Sequence, residues 1–357
     1  MLQNRHIRSI YTLSSPASRR DAIPATRIAL CVGVPLLVML VIGEPRLSIY
    51  TAFGTFPALY GRNQQLKVRL LHQGTSGILM VLAVAFGILL SWQGITGWQM
   101  VLATSLMAAL CSHIAMQVNV RPGGPLFYIF ASAGVASLPY TGHAGRNILL
   151  TAAAAAFSVL VGVLLGELLK EGRDAPPPPA QNFTHPQMLA QTLTNFLTTA
   201  VAGLMGNTLG ISHAYWAMVA AAAVLAGPNT AARVERGLHR MVGTAGGVLV
   251  AAFFVSMSPD PWHVAVLVVA CQFAGEMFVL RNYAIAVVLI TPLALFMIHL
   301  AHPFTSYELL TDRMVETALG AVIGMMGAYV SPDPQHVGKD TVQIPVVRVA
   351  RDWRRRR

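Results

Sequence analysis

The chain has 357 residues, of which 55% are hydrophobic and only 11% are charged, and its mean hydropathy is +0.58. Soluble domains carry about 25% charged residues, so this composition excludes an ordinary globular surface and indicates an integral membrane protein. The formal net charge of +11 does not indicate nucleic-acid binding, because the charges lie in short segments between apolar runs.

Twelve apolar runs predict an all-α membrane fold, in two groups of six. The first group, within residues 28–169, comprises Ile28–Ile42, Leu47–Tyr60, Gly74–Leu90, Trp98–Met116, Leu126–Leu138 and Asn147–Leu168. The second group, within residues 188–330, comprises Met188–Leu204, His213–Ala226, His239–Met257, Trp262–Leu280, Asn282–Ile298 and Met314–Val330. Several runs are shorter than the ~20 residues of a straight span, so they either extend into polar flanks or cross only part of the membrane.

The remaining segments are polar or basic. Basic tails occupy residues 1–27 and 331–357, and a linker occupies residues 170–187. Four consecutive prolines, Pro176–Pro179, cannot be helical and favour a stiff spacer in this linker.

Basic residues set the expected orientation. If the first run leaves the cytoplasm and every later run crosses back, all but three of the 25 lysines and arginines fall on the inner side. The exceptions are Arg46, Arg146 and Arg313. This bias agrees with the positive-inside rule, so we expect both termini, and the linker, in the cytoplasm.

The two groups of runs resemble one unit written twice. Arg69 precedes Gly74–Thr75 in the first half, and Arg240 precedes Gly243–Thr244 in the second. Because six is an even number, both copies would share one orientation. The sequence therefore predicts two parallel six-helix repeats about an axis along the membrane normal.

Two acidic residues are candidates for proton coupling. An ionisable group in hydrocarbon costs roughly 3 kcal/mol or more and usually marks a transport path or an ion pair. Glu276, near the inner end of its run, is either a proton-accepting carboxylate or a partner for Arg281 or another interfacial base. Glu316 shares a helix face with Arg313, which favours a local ion pair at the outer mouth and leaves proton coupling as the alternative.

Arg240 is the strongest candidate for binding an anion. It stands at the expected start of a span whose first turn is rich in glycine. A helix N-terminus presents free N–H groups and a positive dipole end, and an arginine adds a fork that matches a carboxylate. The alternative is an arginine that only sets the topology.

A proline marks the eleventh run. Thr291–Pro292 lies in its middle, where proline removes a backbone hydrogen bond and frees carbonyl groups. The matching fifth run is short and is entered through Pro122–Pro125. Interrupted or short segments at matching places in two repeats point to a transporter's binding site; a plain kink is the alternative.

Several segments together resemble the fusaric acid resistance-like integral membrane transporters, which are related to the aromatic acid exporters. In chain order these segments are Tyr215–Trp216, Arg240 with Gly243–Thr244, Asn282–Tyr283 with Thr291–Pro292, and Arg313 with Gly320. The resemblance is clear over residues 188–330 and fainter in the first half.

The resemblance implies a transporter that exports small, often aromatic, organic acids across a bacterial inner membrane, driven by the proton gradient. It implies roles for the residues that match the family's pattern, namely Tyr215, Trp216, Arg240, Thr244, Asn282, Tyr283, Thr291 and Arg313. We add Arg281 as a second basic group that would attract an anion at the inner face. Many relatives carry a large cytoplasmic domain between the membrane halves, where this chain has only the short linker.

Other classes of function are not favoured. The sequence carries no phosphate-binding loop and no HExxH motif, and its histidines are dispersed, so we expect neither an enzyme nor a bound metal or cofactor. The expected partners are the lipid bilayer and a small organic anion, with a homo-oligomer or a periplasmic adaptor protein left open. A passive organic-anion channel and a membrane assembly protein without transport are the alternative functions.

Overall fold

The computed structural model describes residues 19–331 apart from 174, 176–183, 212 and 302–307. The first half of this part of the chain forms α1 (Arg19–Val41), α2 (Ser48–Thr55), α3 (Leu66–Trp92), α4 (Gly97–Gln117), α5 (Leu126–Ala136) and α6 (Ala144–Leu168). The second half forms α7 (His185–Thr208), α8 (Tyr215–Leu225), α9 (Thr230–Ser256), α10 (Pro261–Phe278), α11 (Tyr283–Ala301) and α12 (Glu308–Val330).

These helices confirm the predicted all-α fold. Each of the twelve predicted apolar runs corresponds, in order, to one α-helix, and the described residues contain no β-strand. Pro176–Pro179 of the linker, residues 1–18 of the first basic tail and residues 332–357 of the second lie outside the described residues. The remainder of the first tail, residues 19–27, is helical and forms the start of α1.

Of the helices in the described part of the chain, seven are long and apolar enough to cross a membrane: α1, α3, α4, α6, α9, α10 and α11. Large apolar side chains stand exposed on their surfaces, among them Leu149 of α6 at 70% and Leu249 of α9 at 71%. Soluble proteins rarely expose apolar patches of this size to water, whereas such surface is favourable in contact with lipid. The helices therefore identify an integral membrane protein.

Three helices are too short to span a bilayer alone. Helix α2 has 8 residues, and α5 and α8 have 11 each, which gives at most about 17 Å against a hydrocarbon core of about 30 Å. Turns of 3₁₀ helix at Pro45–Leu47 and Phe56–Leu59 lengthen the α2 segment. Arg62 follows the α2 segment, and its Nη2 lies 3.5 Å from Oδ1 of Asp21, near the start of α1. The α2 segment therefore returns the chain to the side of the molecule where α1 begins.

The helices of the two halves pack in corresponding ways. In the first half, α3 packs on α5 and α6, α2 on α6, α4 on α5, and α1 on α2 and α6. In the second half, α9 packs on α11 and α12, α8 on α12, α10 on α11, and α7 on α8 and α12. Between the halves, α1 contacts α10, α4 contacts α7, α5 contacts α8, and α2 contacts α11.

Small residues fix the register between α9 and α11. Gly243 packs against Ala284 and Val287, and Gly247 packs against Thr291. The two helices therefore run in the same direction, and the first residue of α11 lies level with Arg240. Since α9 begins at Thr230, α11 begins about 15 Å along α9, close to its middle.

The same kind of packing places α8 along α12. Gly320 packs against Ala217 and Ala220, and Gly324 packs against Ala221. These two helices also run in the same direction, so α8 begins beside Glu316, near the middle of α12.

Helices α9 and α12 are antiparallel. The Thr230 hydroxyl lies 3.4 Å from the Ala328 carbonyl oxygen, and Gly237 packs against Met325. Helix α11 runs parallel to α9, and α8 runs parallel to α12. Because α9 and α12 are antiparallel, α8 and α11 run in opposite directions, and their N-termini meet near the middle of the bundle.

These helices correct two sequence expectations and exclude one of the two alternatives for Pro292. Arg240 lies three turns into α9 rather than at its N-terminus, because the polar residues from Thr230 onward are already helical. Arg69, by contrast, lies near the start of α3, so the two arginines do not occupy equivalent places. Pro292 does not interrupt α11, which continues from Tyr283 to Ala301.

Candidate functional site

Six of the predicted site residues meet where α8 and α11 begin. We call this group the central cluster; it comprises Tyr215, Trp216, Arg240, Tyr283, Arg313 and Glu316. Arg240 donates a hydrogen bond from Nη1 to the Tyr283 hydroxyl at 3.2 Å. The Arg313 guanidinium lies over the Trp216 ring, 3.6 Å from its centroid. Electrostatic interactions link Arg313 to Arg240, Glu316 and both tyrosines.

The polar atoms of this cluster are only partly satisfied. Among the described residues, Nε of Arg240 and both Nε and Nη1 of Arg313 have no hydrogen-bond partner, although both side chains are buried. The hydroxyls of Thr244 and Thr317, one turn along from these arginines, are buried and unpartnered as well. Buried polar groups are nearly always hydrogen-bonded, and each unpaired one costs about 1–3 kcal/mol. Such an arrangement indicates a place for a ligand that accepts hydrogen bonds.

The backbone adds positive potential at the same place. A helix N-terminus carries roughly half a positive charge from its aligned peptide dipoles, and α8 and α11 both begin at the cluster. Two such termini with two buried guanidinium groups favour an anion there, because guanidinium N–H groups match the oxygens of a carboxylate. The helix N-terminus that was expected to support Arg240 is thus that of α11, not that of its own helix.

Glu316 does not form the predicted ion pair. Its side chain is fully buried. In the described part of the chain neither carboxylate oxygen has a partner at hydrogen-bond geometry, although the backbone N–H of His213 interacts with this carboxylate. No contact within ion-pair distance joins it to Arg313, whose guanidinium instead stacks on Trp216. The expectation of a local Arg313–Glu316 pair is therefore wrong, because the aromatic ring of α8 offers the arginine a different partner.

A cavity of about 320 Å³ adjoins the cluster between the two halves. Its lining is mainly apolar and aromatic, and includes Phe53 and Phe56 near α2, Phe130 of α5, and Tyr215. This volume lies within the range of small-molecule sites, about 300–1,000 Å³. The cavity can hold the apolar body of a small organic acid.

Two aromatic residues of α8 separate the cavity from the arginines. Tyr215 lines the cavity, and its ring lies 4.9 Å from that of Trp216. Trp216 in turn lies between Phe130, at 4.9 Å, and the Arg313 guanidinium. An apolar site and a cationic site therefore stand on either side of the start of one short helix.

Glu276 and Arg281 lie in a separate group, which we call the inner network; it comprises Asp21, Arg62, Glu276 and Arg281. Glu276 forms an ion pair with Arg62 at 2.9 Å, so an interfacial base is its partner, though not Arg281. Arg281 lies 3.8 Å from Asp21 and donates hydrogen bonds to the Met277 carbonyl. The structure therefore does not join these two residues to the central cluster.

Two other predicted residues have local structural contacts. Asn282 accepts a hydrogen bond from the backbone N–H of Ile285 at 3.1 Å and so caps α11 in the usual manner of asparagine. Thr291 is buried against Gly247. Both residues position α11, whose first residue is Tyr283.

Sequence reasoning missed several residues of this region. Thr317 lies four residues after Arg313, a helical spacing that could have revealed it. Arg62 was taken only as a basic residue of an inner loop, and nothing in its neighbours indicates that it reaches Glu276. Phe53, Phe56 and Phe130 come from distant segments, so no local pattern connects them.

Comparisons with known proteins agree with the membrane architecture. Residues 199–327 match the family model described as fusaric acid resistance protein-like. An uncharacterized membrane protein of Bacillus subtilis strain 168, YvaC, is 30% identical over 142 residues, which cover 39% of this chain and 22% of that protein. The chain thus matches about a fifth of the length of this curated relative. No solved structure matches the chain.

Proposed function

We propose, on the premise that residues 199–327 form a membrane unit of the fusaric acid resistance protein-like family, that this chain exports small organic acids across the bacterial inner membrane. Aromatic acids are the favoured substrates. The observation that carries the proposal is the pair of buried arginines, Arg240 and Arg313, with unpaired N–H groups beside an apolar cavity. The carboxylate would satisfy these N–H groups and the cavity would receive the ring, once the side chains of Tyr215 and Trp216, which stand between the two places, move aside.

Proton coupling is the finer part of the proposal. Glu316 is better placed for it than Glu276, because Glu276 is engaged with Arg62, whereas Glu316 is buried and has no side-chain partner at hydrogen-bond geometry among the described residues. The charged and titratable groups that interact with Glu316 are Arg313 and Asp312 on its own helix, and Tyr215 on α8. An ionised Glu316 would compete with the substrate carboxylate for Arg313, so protonation and substrate binding would be linked.

The repeat architecture also belongs to this proposal. We infer that the two six-helix halves are copies related by an axis along the membrane normal. The support is that the helix pairs that pack within the first half have counterparts within the second, apart from α3 with α4, and that each contact between the halves recurs with the halves exchanged. Binding sites of such transporters lie between the repeats, and residues of both halves line the cavity.

Flux in proteoliposomes tests the function. We expect vesicles with the wild-type chain to release radiolabelled benzoate, and Arg313→Ala or Arg240→Ala to lower the rate by about tenfold or more, since a lost charge-assisted hydrogen bond is worth about 1.5–3 kcal/mol. Arg46→Ala is the matched control, because Arg46 is exposed. Glu316→Gln should leave flux that no longer depends on pH.

The outcome against the proposal is equally concrete. Benzoate release that is identical in Arg313→Ala and wild type, with both proteins folded, would remove the arginines from the transport path. Single-channel currents in voltage-clamped bilayers would instead identify a passive anion channel. No flux of any organic anion would favour an assembly role.

A further inference from the structure

An ion pair joins the two halves of the molecule on the side where α1 begins. Arg62 lies in the loop between α2 and α3, and Glu276 lies in the last turn of α10. Nη1 of Arg62 lies 2.9 Å from a Glu276 carboxylate oxygen and donates a second hydrogen bond to the Glu276 carbonyl at 3.0 Å. One arginine of the first half therefore binds both the side chain and the backbone carbonyl of Glu276 in α10.

Asp21 extends this contact into the four-residue inner network. Its carboxylate lies 3.5 Å from Arg62 and 3.8 Å from Arg281. Asp21 and Arg62 belong to the first half, and Glu276 and Arg281 to the second, so two of the three ion pairs cross between the halves. Arg27 adds a further positive charge that interacts with Glu276 from α1.

Gln272 connects the inner network to the cavity. It is the lining residue contributed by α10, and its side-chain amide donates a hydrogen bond to Glu276 at 3.3 Å. Glu276 follows one turn later, toward the side of the membrane where α1 begins. The inner network therefore adjoins the Gln272 wall of the cavity, on the side toward which α10 runs.

A second buried ion cluster provides a contrast. Glu171 pairs with Arg27 at 2.9 Å and with Arg69 at 3.2 Å, all with side chains at most 1% exposed. These residues lie in or next to the helices of the first half only, so the cluster stabilises contacts within that half. The inner network is 4–14% exposed, so water can reach its charges when the helices part, which reduces the cost of separating them.

We propose that the inner network is a gate that closes the cavity on the side where α1 begins. Separation of Arg62 from Glu276 moves the α2–α3 loop away from α10 and opens the cavity through Gln272. The proposal deepens the proposed function and rests on it, because a gate is needed only if the cavity is a transport path. It assigns Glu276 and Arg281 to control of access, not to substrate binding.

Cysteine accessibility tests the gate without any substrate. Ala52 lines the cavity, and Ala52→Cys can be introduced after Cys31, Cys111 and Cys271 are replaced by alanine. A membrane-impermeant methanethiosulfonate is then applied to vesicles of either orientation. We expect slow labelling from the side where α1 begins, and a rate about tenfold higher when Arg62→Gln or Glu276→Gln removes the pair, which corresponds to about 1.4 kcal/mol.

Two further variants make the result specific. The charge exchange Arg62→Glu with Glu276→Arg should restore slow labelling. Glu167→Gln, at an exposed position near the end of α6, should leave the rate unchanged. Labelling at the parent rate in both single variants, or an equal increase from the opposite side, would overturn the gate.

These outcomes separate the gate from the proposed function. A protein whose labelling responds to Arg62 and Glu276 but which moves no organic acid keeps the gate and loses the substrate. A protein that exports benzoate with unchanged labelling in both variants keeps the function and loses the gate.

Discussion

At the scale of single residues, we expect the loss of the Glu171 carboxylate to lower the free energy of unfolding strongly. Its carboxylate contacts the buried guanidinium groups of Arg27 and Arg69 and accepts the backbone N–H of Asn63 at 3.1 Å. Glu171→Ala would leave two buried arginines without their counter-ion, a loss of about 3–5 kcal/mol. We expect a clearly lowered melting temperature in detergent, measured by tryptophan fluorescence.

The control for this prediction lies one helical turn away. Glu167 is exposed at the end of α6, so Glu167→Ala should leave the melting temperature nearly unchanged. If both substitutions had equal effects, the buried cluster would not be what stabilises this half.

Local backbone structure explains why Glu171 reaches the interior at all. Lys170 has a φ of 55°, and the N–H groups of Lys170 and Glu171 bond to the carbonyls of Glu167 and Gly166. This pair of bonds is a Schellman motif, which folds the chain back beneath α6. The sequence carries only a weak signal for it, because the usual glycine is absent at that position.

The sequence predicted which residue types form the central cluster but not how they meet. Arg240, Arg313, Tyr215 and Trp216 were identified by their resemblance to a family pattern. That Arg313 stacks on Trp216 rather than pairing with Glu316 depends on the register of α8 against α12. No spacing within one segment contains that information.

At the scale of helices, α8 and α11 form the site because glycines let them lie close to their longer neighbours α12 and α9. A Cβ at Gly320 would overlap the carbonyl oxygen of Ala217 and would lie 2.8 Å from the Ala220 side chain. Gly320→Ala should therefore shift α8 and cost about 1–3 kcal/mol. Because α8 begins with Tyr215, we expect benzoate flux to fall along with the melting temperature.

A glycine in an open place is the matched control. A Cβ added at Gly74 in α3 would meet no atom within 4 Å, so Gly74→Ala should be neutral or should stabilise the helix by up to about 1 kcal/mol. Equal losses at Gly74 and Gly320 would contradict the close packing of α8 on α12.

For the whole molecule, the interface between the halves should hold without the linker. Helix α1 packs on α10 and α4 on α7, and buried hydrogen bonds cross the second contact, among them one from Asn195 to Ser112 at 3.1 Å. If a specific protease site replaces Pro176–Pro179, we expect the cleaved halves to elute together from an affinity column when one half carries the tag.

Dissociation of the halves in mild detergent would contradict this expectation. Heating the cleaved sample in sodium dodecyl sulfate is the control that shows cleavage to be complete. Association without a covalent link would indicate that the contacts in the membrane, not the linker, hold the halves together.

The sequence by itself determined the membrane character, the twelve helices and their order, and the family resemblance. Each of these depends on residues that are close together in the chain: runs of apolar residues, the charges between them, and short motifs. Only the tertiary structure decided that Arg240 meets Tyr283, that Glu276 meets Arg62, and that residues of both halves line one cavity. These pairs lie far apart in sequence, and their meeting depends on the register in which small residues let neighbouring helices pack.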